Sequence, residues 1–70
     1  MPRELEQLRA GDVLTFAIRG SRISHVGLYL GNGRFIHSAR KGVQVSVLSP
    51  DDISGRWWFK RWRGARRVIS

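Results

Sequence analysis

Short segments in which apolar and polar side chains alternate run through most of the chain. Two are clear: residues 24–30, in which Val26 and Leu28 alternate with polar or small neighbours, and residues 43–48. Alternation with a period of two is typical of a β-strand with one buried face. Together with the apolar segments between the glycines, the pattern predicts five strands, at residues 13–19, 24–30, 34–39, 43–48 and about 64–69.

Two short helical segments are predicted beside these strands. Residues 2–9 suit one helical turn, with a proline near its start, before Gly11 ends it. A second helix is predicted near residues 50–60, where Ser49 is a candidate cap and two aspartates fall in the first turn. Whether this helix continues past Gly55 stays open.

The order of these elements predicts a mainly β fold. We expect residues 1–70 to form one small domain, an antiparallel meander or small open barrel of about five strands with a short N-terminal turn and one short helix. Because so short a chain has little apolar surface to bury, we also expect the domain to gain stability from a partner or from further protein.

The turn at residues 31–33 decides whether the two histidines of the chain can meet. A two-residue loop would set Leu28 opposite His37 and send the histidines to opposite faces of the hairpin. A three-residue loop with a bulge would set Leu28 opposite Ile36 instead, and His37 would then lie diagonal to His25.

We predict the second register, because it brings similar side chains opposite each other. It also sets His37 opposite Gly27, where no side chain obstructs it. Diagonal neighbours lie about 7–8 Å apart at the backbone, close enough for two imidazoles to touch. The predicted pairs are Leu28 with Ile36, Tyr29 with Phe35 and Leu30 with Arg34.

The absence of cysteine narrows the chemistry. The 70 residues contain no cysteine and two histidines. Disulfides, thiolate metal sites and a cysteine nucleophile within this chain are therefore excluded. Two imidazoles without a supporting acid or thiolate make a poor metal site, so we predict no metal and no cofactor.

Two touching histidines suit acid–base chemistry. A neutral imidazole can accept a proton on one nitrogen while a neighbouring polar group holds the other. His25 and His37 are therefore candidate catalytic residues. The alternative is that the two side chains merely pack together or lie at the rim of the domain.

The charge of the chain is strongly positive. Thirteen Lys and Arg stand against five Asp and Glu, a net charge of +8, and eleven of the cations are arginine. Cations and aromatic residues are interleaved between residues 56 and 67. This composition is typical of segments that bind single-stranded nucleic acid or lie at a membrane interface. The alternative is that the tryptophans close the core while the arginines face water. The candidate nucleic-acid contacts are Arg56, Lys60, Arg61, Arg63, Arg66 and Arg67.

The sequence has no recognisable targeting segment. Its start lacks the apolar stretch of a signal peptide, and nowhere do 18 apolar residues follow one another, so no transmembrane segment is predicted. The chain as written would stay in the cytoplasm, but removal of an export signal would leave the same sequence, so the compartment stays open.

Several motifs together resemble the NlpC-type family of bacterial cell-wall cysteine peptidases. They are Leu8-Arg9-Ala10-Gly11-Asp12-Val13-Leu14-Thr15-Phe16, the run from Ile23 to Ala39, Gly42-Val43-Gln44-Val45 and Gly64-Ala65-Arg66-Arg67-Val68. They follow the family order over about residues 5–69, and the run around His25 is specific.

The resemblance implies a papain-like fold and a place for each histidine in it. A helical part of that fold carries the nucleophilic cysteine, and an antiparallel sheet carries the base and a third polar residue. His25 matches the base and His37 matches the residue that orients it. The implied substrate is the peptide part of peptidoglycan, cut beside γ-D-glutamyl linkages, and the implied location is the periplasm, the cell wall or the outside of the cell.

The chain departs from the family in lacking the cysteine-bearing helix, which should precede Leu8, where only seven residues stand. No serine stands in a matching context either. We therefore expect the sheet half of such an enzyme, a fragment or split half that is inactive alone.

Without its helical half, the face bearing Tyr29, Phe35, His25 and His37 would be uncovered, which predicts a homodimer or docking of the missing cysteine-bearing part. The alternative function is a small basic β-barrel that binds nucleic acid or an anionic cell-wall polymer without catalysis.

Overall fold

The computed structural model describes residues 5–67. It is mainly β, with five strands and one α-helix, which confirms the predicted fold class. A 3-10 turn, Leu5–Gln7, precedes β1, and the predicted segments at residues 2–4 and 68–69 lie outside the described part of the chain. The elements are β1 (Val13–Phe16), β2 (His25–Gly31), β3 (Arg34–Ala39), β4 (Gly42–Val47), α1 (Ile53–Arg61) and β5 (Trp62–Arg66).

The five strands form one open antiparallel sheet in the order β4-β3-β2-β1-β5. Strands β1 to β4 are neighbours both along the chain and in space, as expected of a meander. The chain then passes through α1 and returns at the far edge, where β5 pairs with β1. The helix thus connects the two edges of the sheet.

The β2–β3 hairpin has the predicted register where it matters for the histidines. Leu28 lies opposite Ile36 and Tyr29 opposite Phe35. At the tip, however, Gly31 rather than Leu30 pairs with Arg34, and the ladder is irregular between Tyr29 and Gly31.

The tip differs because the turn itself has only two residues. Asn32 and Gly33 have φ of +54° and +76°, the positive values that a type I′ turn requires. Asparagine and glycine tolerate this region, so the turn is tight and Leu30 is accommodated as the extra residue of a bulge. A two-residue turn with a bulge therefore gives the side-chain pairing expected of a three-residue loop.

Several element boundaries differ from prediction: β2, β4 and α1 are displaced by one to three residues, and β5 begins at Trp62 rather than at about residue 64. β1 ends at Phe16 rather than at residue 19, because the Ala17 N–H donates to the Arg61 carbonyl at 2.8 Å and leaves the ladder. α1 is capped by Asp52, not by Ser49: the Asp52 carboxylate accepts from the Gly55 N–H at 2.8 Å.

Gly55 continues the helix and is needed for its packing. A Cβ at this position would lie 3.0 Å from the Ser49 nitrogen and 3.1 Å from Cγ1 of Val47. The missing side chain lets the first turn of α1 lie directly on the segment that leaves β4.

The core lies between α1 and one face of the sheet, which corrects the expectation of an uncovered face. Phe35 is fully buried, and Tyr29 and His37 are each only 6% exposed. Trp58 and Phe59 of α1 pack against this cluster, so the helix supplies the cover. The core cluster consists of Leu14, Phe16, Tyr29, Phe35, Leu48 and Trp62.

The opposite face of the sheet, which we call the outer face, is apolar and exposed. Along β2 its exposed residues alternate with buried ones, whereas β4, at the edge of the sheet, has no buried residue. The exposed apolar surface expected from the sequence is therefore present, but on the other side of the sheet. The residues are Val26, Leu28, Leu30, Val43 and Val45.

Asp12 ties the start of β1 to the residue after β5. Its carboxylate is buried, accepts from the Arg9 N–H at 3.0 Å and forms an ion pair with Nε of Arg67 at 3.1 Å. The hydrogen bonds from Arg67 and then from the Arg9 backbone hold the pKa of Asp12 below its ordinary value.

We expect Asp12→Ala to lower the free energy of unfolding by about 1–3 kcal/mol at pH 7, because the Arg9 N–H and the Arg67 guanidinium lose a charged hydrogen-bond acceptor. The lowered pKa of Asp12 means that this contribution is complete at neutral pH and is lost as the pH falls through the folded-state pKa. Urea unfolding at pH 7 and at acid pH tests this. The exposed Asp51→Ala should change stability by less than about 0.5 kcal/mol, and an equal loss in both variants would contradict the assignment.

Candidate active site

The two histidines meet on the covered face of the sheet. His25 begins β2 and His37 lies in β3. Nε2 of His25 lies 2.9 Å from Nδ1 of His37, and the rings are almost perpendicular, at 81°. The structure therefore brings together the two residues that the register predicts to touch.

Ser46 of β4 is a third member of this cluster that the sequence analysis missed. Its Oγ lies 2.8 Å from Nε2 of His37. The β3–β4 hairpin sets Gln44 opposite His37 and Ser46 opposite Phe35, which makes Ser46 a diagonal neighbour of His37. The alternation along residues 43–48, combined with a tight turn at residues 40–41, was a signal that could have found it.

Trp58 of α1 lies against both imidazoles. Its ring centroid is 4.7 Å from that of His37 and 5.5 Å from that of His25. The ring centroid of Phe35 lies 4.9 Å from that of His37. No sequence signal distinguishes Trp58 from the other two tryptophans, because its position depends on how α1 packs.

Gly27 provides room for this packing. A Cβ at Gly27 would lie 2.7 Å from Cδ2 of the fully buried Phe35 and 3.2 Å from the Ile36 carbonyl oxygen. The ring of Phe35, rather than that of His37 as the sequence predicts, fills the space that a side chain at Gly27 would occupy.

The two imidazoles differ in their surroundings. His37 is buried, and burial, followed by the nearby His25, lowers its pKa, which favours the neutral form. His25 is half-buried, and its Nδ1 makes no hydrogen bond within residues 5–67. Since no buried side-chain nitrogen or oxygen of these residues lacks a partner, Nδ1 of His25 reaches solvent.

An imidazole that is held at one nitrogen by a neighbour and open at the other can accept a proton at the open nitrogen. Nδ1 of His25 faces outward, and its Nε2 contacts Nδ1 of His37. The 70 residues contain no cysteine. Residues 5–67 contain no group of three or more His, Cys, Asp or Glu side chains placed to hold a metal ion.

The six cations proposed from the sequence as nucleic-acid contacts are divided between α1 and the segment of β5 and Arg67. Arg56, Lys60 and Arg61 line a shallow groove on α1 with Ile53 and Trp57, and we call this the basic groove. There the guanidinium of Arg61 lies 3.8 Å from the centre of the Trp57 ring.

The other three cations lie on β5 or just after it. A guanidinium nitrogen of Arg63 donates to the Lys60 carbonyl at 3.2 Å, and Arg67 is ion-paired with Asp12. Arg66 lies in β5 opposite Val13. In the described part of the chain, α1 is too short and too polar to span a membrane.

The chain is similar in sequence to a protein family and to individual proteins of known name. A model of the NlpC/P60 family matches residues 2–67. The murein DD-endopeptidase MepH of Escherichia coli K12 is 39% identical over 70 residues, 99% of this chain and 25% of that protein. The murein DD-endopeptidase MepS/murein LD-carboxypeptidase of the same strain is 42% identical over 64 residues, 90% of this chain and 31% of that protein.

A solved structure shares the fold. The crystal structure of an NlpC/P60 family protein from Bacillus cereus ATCC 10987 matches with a TM-score of 0.67 and 28% identity, over 96% of this chain and 22% of that one. This chain therefore spans less than a third of each of these three proteins.

Proposed function

The chain belongs to the NlpC/P60 family, and we propose that it is the base-bearing part of a peptidoglycan endopeptidase. The relatives named above are murein endopeptidases, and this chain corresponds to a portion of such an enzyme. We assign His25 as the base and His37 as the residue that orients it. The observation that carries the proposal is the 2.9 Å contact between them, with Nδ1 of His25 open to solvent.

In the proposed reaction, Nδ1 of His25 takes the proton of a cysteine thiol that lies outside these 70 residues. The thiolate attacks the carbonyl carbon of a stem-peptide bond, the C–N bond breaks, and His25 returns the proton to the leaving nitrogen. Water, deprotonated by His25, then hydrolyses the thioester. His37 holds the imidazole in place throughout.

The partner that completes this site is a cysteine-bearing segment rather than a second copy of the chain. A homodimer would bury the outer face but would bring no thiol, because the chain has no cysteine. We therefore propose that the chain alone does not cleave peptide bonds.

Reconstitution tests the proposed function. The chain is mixed with the cysteine-bearing N-terminal segment of a family member, and muropeptide cleavage is followed by mass spectrometry, which also identifies the bond that is cut. We expect cleavage by the mixture and by neither part alone. Failure of a mixture that forms a complex in sedimentation, while the intact relative cleaves the same substrate, would refute the proposal.

The basic groove supports a second proposal, binding of an acidic cell-wall polymer without catalysis. Its three cations surround exposed Trp57 and Ile53, so charge and apolar contact are available together. We expect Lys60→Ala with Arg61→Ala to reduce retention on purified sacculi. The control, Arg40→Ala with Lys41→Ala, removes the same charge from the exposed part of the β3–β4 turn. Equal loss in both pairs, or competition by oligonucleotides alone, would exclude a specific polymer site.

A further inference from the structure

The hydrogen bonds that join Ser46, His37 and His25 can run in two directions. In the first, Nε2–H of His25 donates to Nδ1 of His37, whose Nε2–H donates to Oγ of Ser46. In the second, the Ser46 hydroxyl donates to Nε2 of His37, whose Nδ1–H donates to Nε2 of His25. The distances, 2.9 and 2.8 Å, suit both.

The two directions have opposite consequences for His25. In the first, its proton lies on Nε2, and Nδ1 carries a lone pair that faces solvent. In the second, its proton lies on Nδ1, which then cannot accept a proton. Only the first direction therefore leaves the outward nitrogen of His25 able to act as a base.

The first direction also keeps its hydrogen bonds when His25 gains a proton and becomes positively charged. A base that has gained a proton is an imidazolium with N–H on both ring nitrogens. In the first direction its Nε2–H still donates to His37. In the second direction, two N–H groups would face each other across the 2.9 Å contact.

Ser46 is placed to select the direction. His37 is only 6% exposed, and its ring lies against those of Phe35 and Trp58, so water has little access to Nε2. An acceptor at that nitrogen retains the proton on Nε2 and leaves Nδ1 free to accept from His25. Ser46 is half-buried, so its own hydroxyl proton can turn to solvent.

We propose that Ser46 is a positioning residue that fixes the tautomer of His37 and, through it, keeps Nδ1 of His25 available to take a proton. The inference rests on the proposed function in one respect: the group that gives its proton to His25 is the cysteine thiol proposed above. The tautomer pattern itself is a property of this chain alone and can be measured without catalysis.

The test is long-range ¹H–¹⁵N NMR of the labelled chain at a pH where both histidines are neutral, which reports the protonated nitrogen of each ring. We expect both histidines to carry the proton on Nε2. In Ser46→Ala, the His37 nitrogens should shift toward the values of a mixture of tautomers, and Ser46→Thr, which keeps a hydroxyl, should retain the original pattern.

Ser38→Ala is the matched control, because Ser38 follows His37 on β3 and is exposed. It should leave both histidines unchanged. A proton on Nδ1 of His25 in the unmodified chain would overturn the inference, even if Ser46→Ala did not fold, and so would an unchanged pattern in a folded Ser46→Ala. The expected pattern together with failed reconstitution would refute only the proposed function.

Discussion

Replacing His25 by alanine is expected to lower kcat for muropeptide cleavage in the reconstituted enzyme by about 10²- to 10⁴-fold. The reason is that Nδ1 of His25 faces solvent, whereas both nitrogens of His37 are engaged, by His25 and by Ser46. His37 cannot take over as base without breaking one of those contacts. The value of kcat is obtained from cleavage rates, which are measured by mass spectrometry with the cysteine-bearing segment at saturating concentration.

The comparison with His37→Gln makes this result specific. Glutamine retains a polar group behind His25, so we expect a smaller loss of kcat than for His25→Ala. Circular dichroism of both variants checks that the sheet is intact. If His25→Ala is folded and as active as the unmodified chain, His25 is not the base.

Trp62→Ala is expected to cost about 3–5 kcal/mol of the free energy of unfolding. Trp62 is fully buried, pairs with Phe16 across β1 and β5, and donates from Nε1 to the Gly64 carbonyl at 2.8 Å. Native domains are stable by about 5–15 kcal/mol, and a domain this small belongs at the low end. We therefore expect most of the variant to be unfolded at 37 °C.

Trp57→Ala provides the matched control, because it removes the same side chain from an exposed position on α1. Trp57 is 43% exposed. It contacts Trp58 and the guanidinium of Arg61, so we expect a loss of about 1 kcal/mol or less. Thermal and urea unfolding give both values. Similar losses for the two tryptophans would contradict the position assigned to Trp62.

The meander of β1 to β4 and the histidine pair were predictable from sequence because both depend on pairing between strands that follow one another in the chain. Leu28 and Ile36 can face each other in only one register of a hairpin this short, and that register determines the face of every other side chain in it. The contact between His25 and His37 follows from it. This prediction holds although the turn has two residues rather than three, because the bulge at Leu30 restores the expected pairing of Leu28 with Ile36.

The features that could not be predicted depend on segments far apart in sequence. Whether α1 covers the histidine face or the outer face is decided by packing, which places Trp58 on the imidazoles and leaves Val43 exposed. The bond between Asp12 and Arg67, 55 positions apart, is of the same kind. Local alternation and spacing contain no information about such contacts.

The position of β5 beside β1 has a consequence for how the chain acquires its structure during synthesis. β1 to β4 can pair one after another as they leave the ribosome, each with a strand made just before it. β1 gains its second neighbour only when residues 62–66 have been translated. Until then one side of β1 has no strand beside it, and Trp62 cannot cover Phe16. Such long-range pairing slows folding and leaves a nascent chain in need of protection from its neighbours.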